Sequence, residues 1–415
     1  MKILWIAQNG GNYKQNIIKG TGGWIGALQN LILKQSDMEL GICFPHENDY
    51  EIIHEGKITY MPYIFNTGHN IFQKFLYHLK DNNINDEHYV IEQIQKSIKK
   101  FKPDVIHIWG LEFIHSAVIP YLKTPYVVHI QGLTSLYINT YCPPGFSYDD
   151  IRKCESWFNN IINRGLYFEY KTFCNRAERE LKVAPYVKNW IGRTDWDKVA
   201  SKILSPKSKY YHCEEIMRAD FSEKQWHYHY NGVLNIQTNI SDDWYKGVDV
   251  ILKTAKILKK NGIDFVWNIY GINSNSKKVL YISKKIDIKP ETVNVFLQGK
   301  VDAKTICDSL LKSDVYVHSS YVENSSNAIA EAMMLGVPTI AQYVGGNPTM
   351  LRDDSGILVA PNEPYEMAYR IMSITDENIS KSFSLRALKI ATVRQNNDNT
   401  VKNLLSIYNI IFHDF

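Results

Sequence analysis

Short apolar runs bounded by turn-forming residues alternate along the chain with longer stretches in which apolar side chains return every three or four positions. That alternation predicts parallel strands joined by crossover helices. It occurs twice. KILWIAQ, ELGICF, DVIHIWG and YVVHIQG form a first set, each short and rich enough in β-branched or aromatic residues to read as a buried strand. GVLNIQT, FVWNIYG, VNVFLQG, DVYVHSS and PTIAQY form the second. Between the sets, residues 135–230 read as mainly helical and unusually aromatic, and the stretch from Lys209 to Gly232 leads into the second set, which puts a domain boundary near residue 217. The second domain runs from 218 to about 395, and VKNLLSIYNIIF then predicts a last helix within residues 396–415. Two halves on one plan predict a doubly wound α/β architecture with ligand at the carboxyl ends of the strands, facing a cleft.

At 415 residues the chain exceeds one ordinary core, which agrees with two domains. Hydrophobic residues at 45% and charged residues at 22% are ordinary globular usage and exclude a disordered or fibrous chain. A net charge of +4 gives no reason to expect a nucleic-acid partner, while it permits contact with an acidic membrane surface. The six cysteines lie apart with no C-x-x-C pair and read as reduced thiols. MKILWIAQNGG turns polar after five apolar residues, so it reads as a first strand and not as a leader, and no apolar run approaches the ~20 residues of a membrane span.

The most specific chemistry lies in SSYVENSSNAIAEAMMLGVPTIAQYVGG, where a strand is followed by a loop carrying Glu323 and a helix carrying Glu331, with seven residues between the two acids. A loop acid just before a helix and an acid a little over two turns into it can face one cleft. Asn324, Ser325, Ser326 and Asn327 between them are capping residues, and the free N–H groups there favour an anion or a sugar's hydroxyls. Taken alone, the pair reads equally well as a surface acid and a helix acid near the dipole's positive end. In TNISDDWYKGVDVILKTAKIL, Lys246-Gly247 opens a helical pattern after a strand, and a lysine there can meet a diphosphate as a point charge. Gly20-Thr21-Gly22-Gly23 precedes a helix, where glycines let backbone approach phosphate. Two further strands end in His107 and in His129-Ile130-Gln131-Gly132; a satisfied interior histidine is the commoner reading of each, and Gln131 can donate a hydrogen bond but cannot act as an acid or base. Asp195-Trp196-Asp197 imitates a metal site, yet Gly192-Arg193-Thr194 before it reads as a helix start whose acids cap and meet the dipole. The aromatic run from Lys209 to Tyr230 carries acids that cancel its charge and reads as a packed connection, not a base-stacking surface.

The segment from Ser319 to Gly346 resembles the retaining GT-B glycosyltransferases of the glycogen-synthase and bacterial mannosyltransferase type, the group 1 or family 4-like enzymes. Glu323, Glu331, Ala332, Met333, Gly336, Pro338, Ile340, Gly345 and Gly346 fill that family's motif in order. The resemblance implies a GT-B fold of two Rossmann-like domains facing a cleft, an acceptor-binding N-terminal domain, a donor-binding C-terminal domain, and a last helix crossing back to the first. It implies that Glu323 holds the donor sugar's hydroxyls, that Glu331 holds the ribose, and that Lys246 meets the diphosphate. Gly22, Gly23, Gly271, Ser325, Ser326 and Asn327 complete the implied donor site, and Gln131 and His129 complete the catalytic candidates. The sequence departs from the family at Asn324-Ser325-Ser326, where Gly-Phe-Gly is usual, and lacks the diphosphate arginine, since none occurs between Arg218 and Arg352.

The function expected on this basis is retaining transfer of a sugar from a nucleotide-diphosphate sugar to a saccharide or lipid-linked acceptor, in bacterial polysaccharide or glycolipid assembly. The setting expected is the cytoplasm, with contact at the inner membrane face, and no cofactor or metal is required. The alternatives are a nucleotide-sugar epimerase of the same fold, a noncatalytic nucleotide-sugar binder, and an NAD-dependent oxidoreductase. Against the last, neither first strand leads into a compact G-x-G-x-x-G turn.

Overall fold

The computed structural model describes residues 1–15, 23–47, 50–65, 83–154 and 165–414. Eight strands form the first sheet: β1 (Lys2–Ile6), β2 (Glu39–His46), β3 (Ile53–Glu55), β4 (Ile58–Ile64), β5 (Val105–Trp109), β6 (Tyr126–His129), β7 (Asn189–Gly192) and β8 (Lys209–His212). Their order is β3-β4-β2-β1-β5-β6-β7-β8, parallel except for the β3–β4 pair. Six parallel strands form the second: β9 (Leu234–Asn239), β10 (Phe265–Tyr270), β11 (Val295–Gly299), β12 (Val315–His318), β13 (Thr339–Gln342) and β14 (Ile357–Val359), in the order β11-β10-β9-β12-β13-β14. This is the two-domain GT-B architecture.

Strands with helices on both faces read as continuous apolar runs. That is why β1, β5 and β12 are legible in the sequence, while the edge strand β11 alternates buried and accessible positions. The expectation that residues 135–230 are mainly helical needs correction, because β7 and β8 lie inside that stretch. Each has four residues, and β8 is a half-exposed edge strand of mixed polarity, so neither makes an apolar run. β3, β4 and β14 likewise stand outside the two sets: β3 and β14 have three residues each, and β4 contains Pro62, which argues against a strand in sequence although the pairing with β2 runs through it unbroken.

Cys213 and Ile216 pack in the core around β1 and β2, whereas Met217, Phe221 and Trp226 pack in the core around the helix Asn327–Leu335. The chain therefore passes from one core to the other within two residues. It returns through the helix Asn397–His413, whose Val401, Leu404, Ile407, Tyr408 and Ile411 lie in the N-terminal core. The Tyr408 hydroxyl accepts from Trp5 Nε1 at 3.0 Å and lies 2.6 Å from His107 Nδ1, so the last helix is fastened to the strands it covers by a buried polar pair as well as by apolar contact. No described helix is long and apolar enough to cross a membrane.

Candidate functional site

The carboxyl end of β12 leads into the loop Ser319–Ser326, and the helix Asn327–Leu335 follows. Ser326 caps that helix by accepting from Ile329 N, and Gly336 ends it in the left-handed conformation, so the sequence itself fixes both helix ends. The loop is turned inward, with Glu323 8% and Asn324 3% exposed. Lys246 Nζ donates to Glu323 Oε2 at 2.7 Å, and His318 Nε2 lies 3.2 Å from the same oxygen. A carboxylate only accepts, so Nε2 carries the histidine's proton and Nδ1 accepts from the Tyr316 hydroxyl at 3.1 Å. Burial raises the Glu323 pKa, but the Lys246 charge and the hydrogen bonds from His318 and Lys246 outweigh it and hold the group at about 2. Burial lowers the His318 pKa, so the ring is neutral at pH 7. Glu323 is thus a fixed carboxylate whose remaining oxygen is available to hydroxyl groups.

Three glycines let this happen. Gly247, at φ 72°, precedes the helix Val248–Lys260, and a Cβ there would lie 1.9 Å from the Ser319 carbonyl oxygen. Ser319 Oγ donates to the Lys246 carbonyl at 2.7 Å, so Lys246 is fastened directly to the strand end that carries the loop. Gly346 N donates to the Glu323 carbonyl at 2.8 Å, and a Cβ on Gly345 or Gly346 would fall 1.8 Å from the Glu323 or 1.7 Å from the Asn324 carbonyl oxygen. Only a Gly-Gly turn allows β13 to pack its following loop against Glu323 and Asn324.

The N-terminal domain closes over this loop. The Tyr137 hydroxyl accepts from Asn324 N at 2.9 Å and donates to Asn324 Oδ1 at 3.2 Å. Arg193, paired with the buried Glu215, donates to Asn327 Oδ1 at 3.2 Å. Asp195 N donates to Thr349 Oγ1 at 3.1 Å. One turn beyond Asn327 on the same helix, Arg218 Nε donates to Glu331 Oε1 at 3.0 Å; burial pushes the Glu331 carboxyl up and the Arg218 charge opposes it.

Of the residues singled out from sequence, Glu323, Ser325, Ser326 and Asn327 lie in this loop and its helix, and Lys246 reaches Glu323 from the turn before the helix Val248–Lys260. Glu331 is carried on the same helix but faces Arg218 and not Lys246. Gly271, at φ 97°, packs against the Ile240 carbonyl and donates to the Gly299 carbonyl at 2.7 Å, which ties together the loops after β9, β10 and β11. Asn239 ends β9, its Nδ2 buried and without a partner. His129 is buried in a stack with Trp109 at 4.8 Å and His107 at 5.3 Å, neither ring nitrogen bonded, and burial holds its pKa well below the usual value. The structure does not bring it to Glu323. Gln131 Nε2 is buried without a partner, and beside it a Cβ on Gly132 would meet nothing within 4 Å. Gly23 begins the helix Gly23–Gln35, and Gly22 lies outside the described residues. Asp195 and Asp197 start the helix Asp195–Leu204, where Asp197 Oδ2 accepts from Arg193 N and Thr194 N, and no group of acids, histidines or cysteines that could hold a metal occurs among the described residues.

Sequence reading missed His318, Tyr316, Tyr137 and Arg218. His318 and Tyr316 had a signal, the period of two that sets them on one face of β12. Tyr137 and Arg218 had none, because their partners lie 187 and 113 residues away.

Comparison with known proteins bears on both domains. Residues 241–388, about a third of the chain, match the family described as glycosyl transferases group 1. The chain is 26% identical to Protein CapJ of Staphylococcus aureus over 268 residues, which covers 62% of this chain and 59% of CapJ. The match therefore spans about three fifths of that relative. In structure the chain resembles sucrose-phosphate synthase from Thermosynechococcus elongatus, with a TM-score of 0.68, 14% identity and full coverage of both chains. It also resembles HepE of Anabaena, solved in complex with UDP and glucose, with a TM-score of 0.60, 14% identity and 99% of each chain covered. The chain has the GT-B fold throughout, and residues 241–388 of its second domain match the glycosyl transferases group 1 family.

Proposed function

We propose that the protein is a retaining glycosyltransferase that moves a sugar from a nucleotide-diphosphate sugar to a saccharide or lipid-linked acceptor. The observation that carries this is the buried Lys246–Glu323–His318 group on the loop between the domains, at the amino end of the helix Asn327–Leu335. Glu323 orients the sugar through its hydroxyls. Lys246 and the loop amides stabilise the charge that develops on the diphosphate as the C1–oxygen bond breaks. The acceptor oxygen bonds to C1 on the same face, and its proton passes to the departing diphosphate oxygen, so no protein base is required. Glu331 holds the ribose and exchanges its bond with Arg218 to do so.

Metal independence is part of the proposal, since a lysine and backbone donors face the diphosphate. Activity abolished by EDTA and restored by magnesium contradicts it. The anomeric configuration of the product, read by NMR from the one-bond coupling at C1, tests the stereochemistry: retention agrees and inversion refutes it.

The setting we propose is the cytoplasm, at the inner face of a bacterial membrane, in polysaccharide or glycolipid assembly. Its support is the edge of the first sheet away from the cleft. There the loops entering β5, β6, β7 and β8 expose Lys102, Lys123, Lys188 and Lys207 beside the exposed rings of Tyr121 and Tyr186. Lysines with interleaved tyrosines suit an anionic lipid surface.

A further inference from the structure

The contact between Tyr137 and Asn324 joins two domains through one hydroxyl, and its chemistry is that of a sugar. The Tyr137 oxygen accepts from a backbone N–H at 2.9 Å and donates to a carboxamide oxygen at 3.2 Å. A sugar hydroxyl offers the same single donor with spare acceptor capacity. Asn324 directly follows Glu323, the residue that takes the donor sugar's hydroxyls in the reading above. Its side-chain Nδ2 is buried and unbonded, so the loop holds more donor capacity than the tyrosine uses.

Tyr137 is also held firmly. It ends the helical turn Thr134–Tyr137, and the fully buried Glu180 accepts from Thr134 N at 3.0 Å, Thr134 Oγ1 at 2.9 Å, Ser135 N at 3.0 Å and Ser135 Oγ. A carboxylate that meets four donors at the start of a turn fixes the residue at its end. The Tyr137 ring stands edge-on to Tyr245, the neighbour of Lys246, at 5.5 Å, and tilts against Trp196 at 6.2 Å. The side chain cannot fray away on its own. It leaves Asn324 when the domains part or when something replaces its hydroxyl.

We infer that Tyr137 is a specificity-determining gate: its hydroxyl occupies the Asn324 position that one hydroxyl of the donor sugar takes, and the sugar binds by displacing it. This rests on the assignment of the donor sugar to the Glu323 loop. The exchange is nearly balanced for a sugar whose hydroxyl makes both bonds, and unfavourable for one that lacks that hydroxyl, because the loop then loses the tyrosine's bonds and regains none. In Tyr137→Phe the buried Asn324 amide is left without its partner, so a sugar hydroxyl that reaches it recovers bonding with nothing to displace.

The test is calorimetric titration of wild type, Tyr137→Phe and Glu180→Gln with UDP, GDP and ADP, and with UDP-glucose, GDP-mannose and ADP-glucose. For the nucleotide that binds, the inference predicts a nucleotide-sugar Kd about tenfold lower in Tyr137→Phe and an unchanged diphosphate Kd. Glu180→Gln, which loosens the turn without removing the hydroxyl, shifts the sugar Kd in the same direction by less. A nucleotide-sugar Kd that is unchanged or raised in Tyr137→Phe, with the diphosphate Kd unchanged, overturns the gate and leaves the donor site standing. A wild-type protein that binds none of the six ligands overturns the donor-site assignment itself.

Discussion

Lys246→Met removes the cation that balances Glu323. The two side chains are 12% and 11% exposed, so the carboxylate is left in a largely desolvated place. Removing one partner of a buried pair costs about 3–5 kcal/mol. The His318 hydrogen bond remains, which puts the loss near the lower end, about 3 kcal/mol. At roughly 2–4 °C per kcal/mol for a large domain, the melting temperature falls by ~6–12 °C at pH 8. The pH dependence carries a sign. In the wild type, burial lowers the His318 pKa and the Lys246 charge adds to that, while Glu323 opposes both. A histidine held below its unfolded value loses stability for the protein as pH falls through the unfolded pKa of ~6.5. Without Lys246 one of the two influences that lower the His318 pKa is gone while Glu323 still raises it, so the variant loses less stability than the wild type as pH falls. The deficit of Lys246→Met is therefore larger at pH 8 than at pH 5.5. Thermal melts of the variant, the wild type and Lys246→Met/Glu323→Gln at both pH values measure this, and the double variant recovers most of the loss because neither charge remains. A single variant that melts within 2 °C of wild type at pH 8, or whose deficit grows as pH falls, refutes the coupled group.

Two further outcomes follow from the geometry. Gly346→Ala puts a Cβ 1.7 Å from the Asn324 carbonyl oxygen. The loop has to move to accommodate it, so turnover falls by about a hundredfold while far-ultraviolet circular dichroism stays native; retained turnover shows that the Gly-Gly turn does not set the loop. Co-sedimentation with vesicles containing phosphatidylglycerol, absent with phosphatidylcholine alone, is expected at low salt and lost in Lys123→Glu/Lys188→Glu/Lys207→Glu, and equal binding of that variant contradicts the proposed membrane edge.

Much of this architecture could be read from the chain. The central strands were legible because two faces of helices demand unbroken apolar runs, and the helix Asn397–His413 because one buried stripe demands helical periodicity. β7 and β8 were not, since NWIG and KYYH mix polar with apolar residues and form no apolar run, and β14 has only three residues. Around the site, Glu323 and Lys246 could be placed because each sits next to a local device that sequence displays, a helix cap in one case and a left-handed glycine in the other. What surrounds them depends on the meeting of two domains. The Tyr137 hydroxyl and the Arg193 guanidinium reach the loop from 187 and 134 residues away, and no local pattern announces such partners. His129, which in sequence reads more readily as an interior histidine than as a catalytic one, is enclosed by the rings of Trp109 and His107 in the fold.

The most direct test of the donor site between the domains is the melting temperature of wild type and Glu331→Ala with UDP, GDP, ADP, CMP and NAD, with and without magnesium. A ligand at about a hundred times its Kd stabilises by ~2.7 kcal/mol. The account predicts that one nucleoside diphosphate raises the melting temperature of the wild type without metal and fails to do so in Glu331→Ala. Stabilisation by NAD alone, or by a nucleoside diphosphate equally in both proteins, would contradict it.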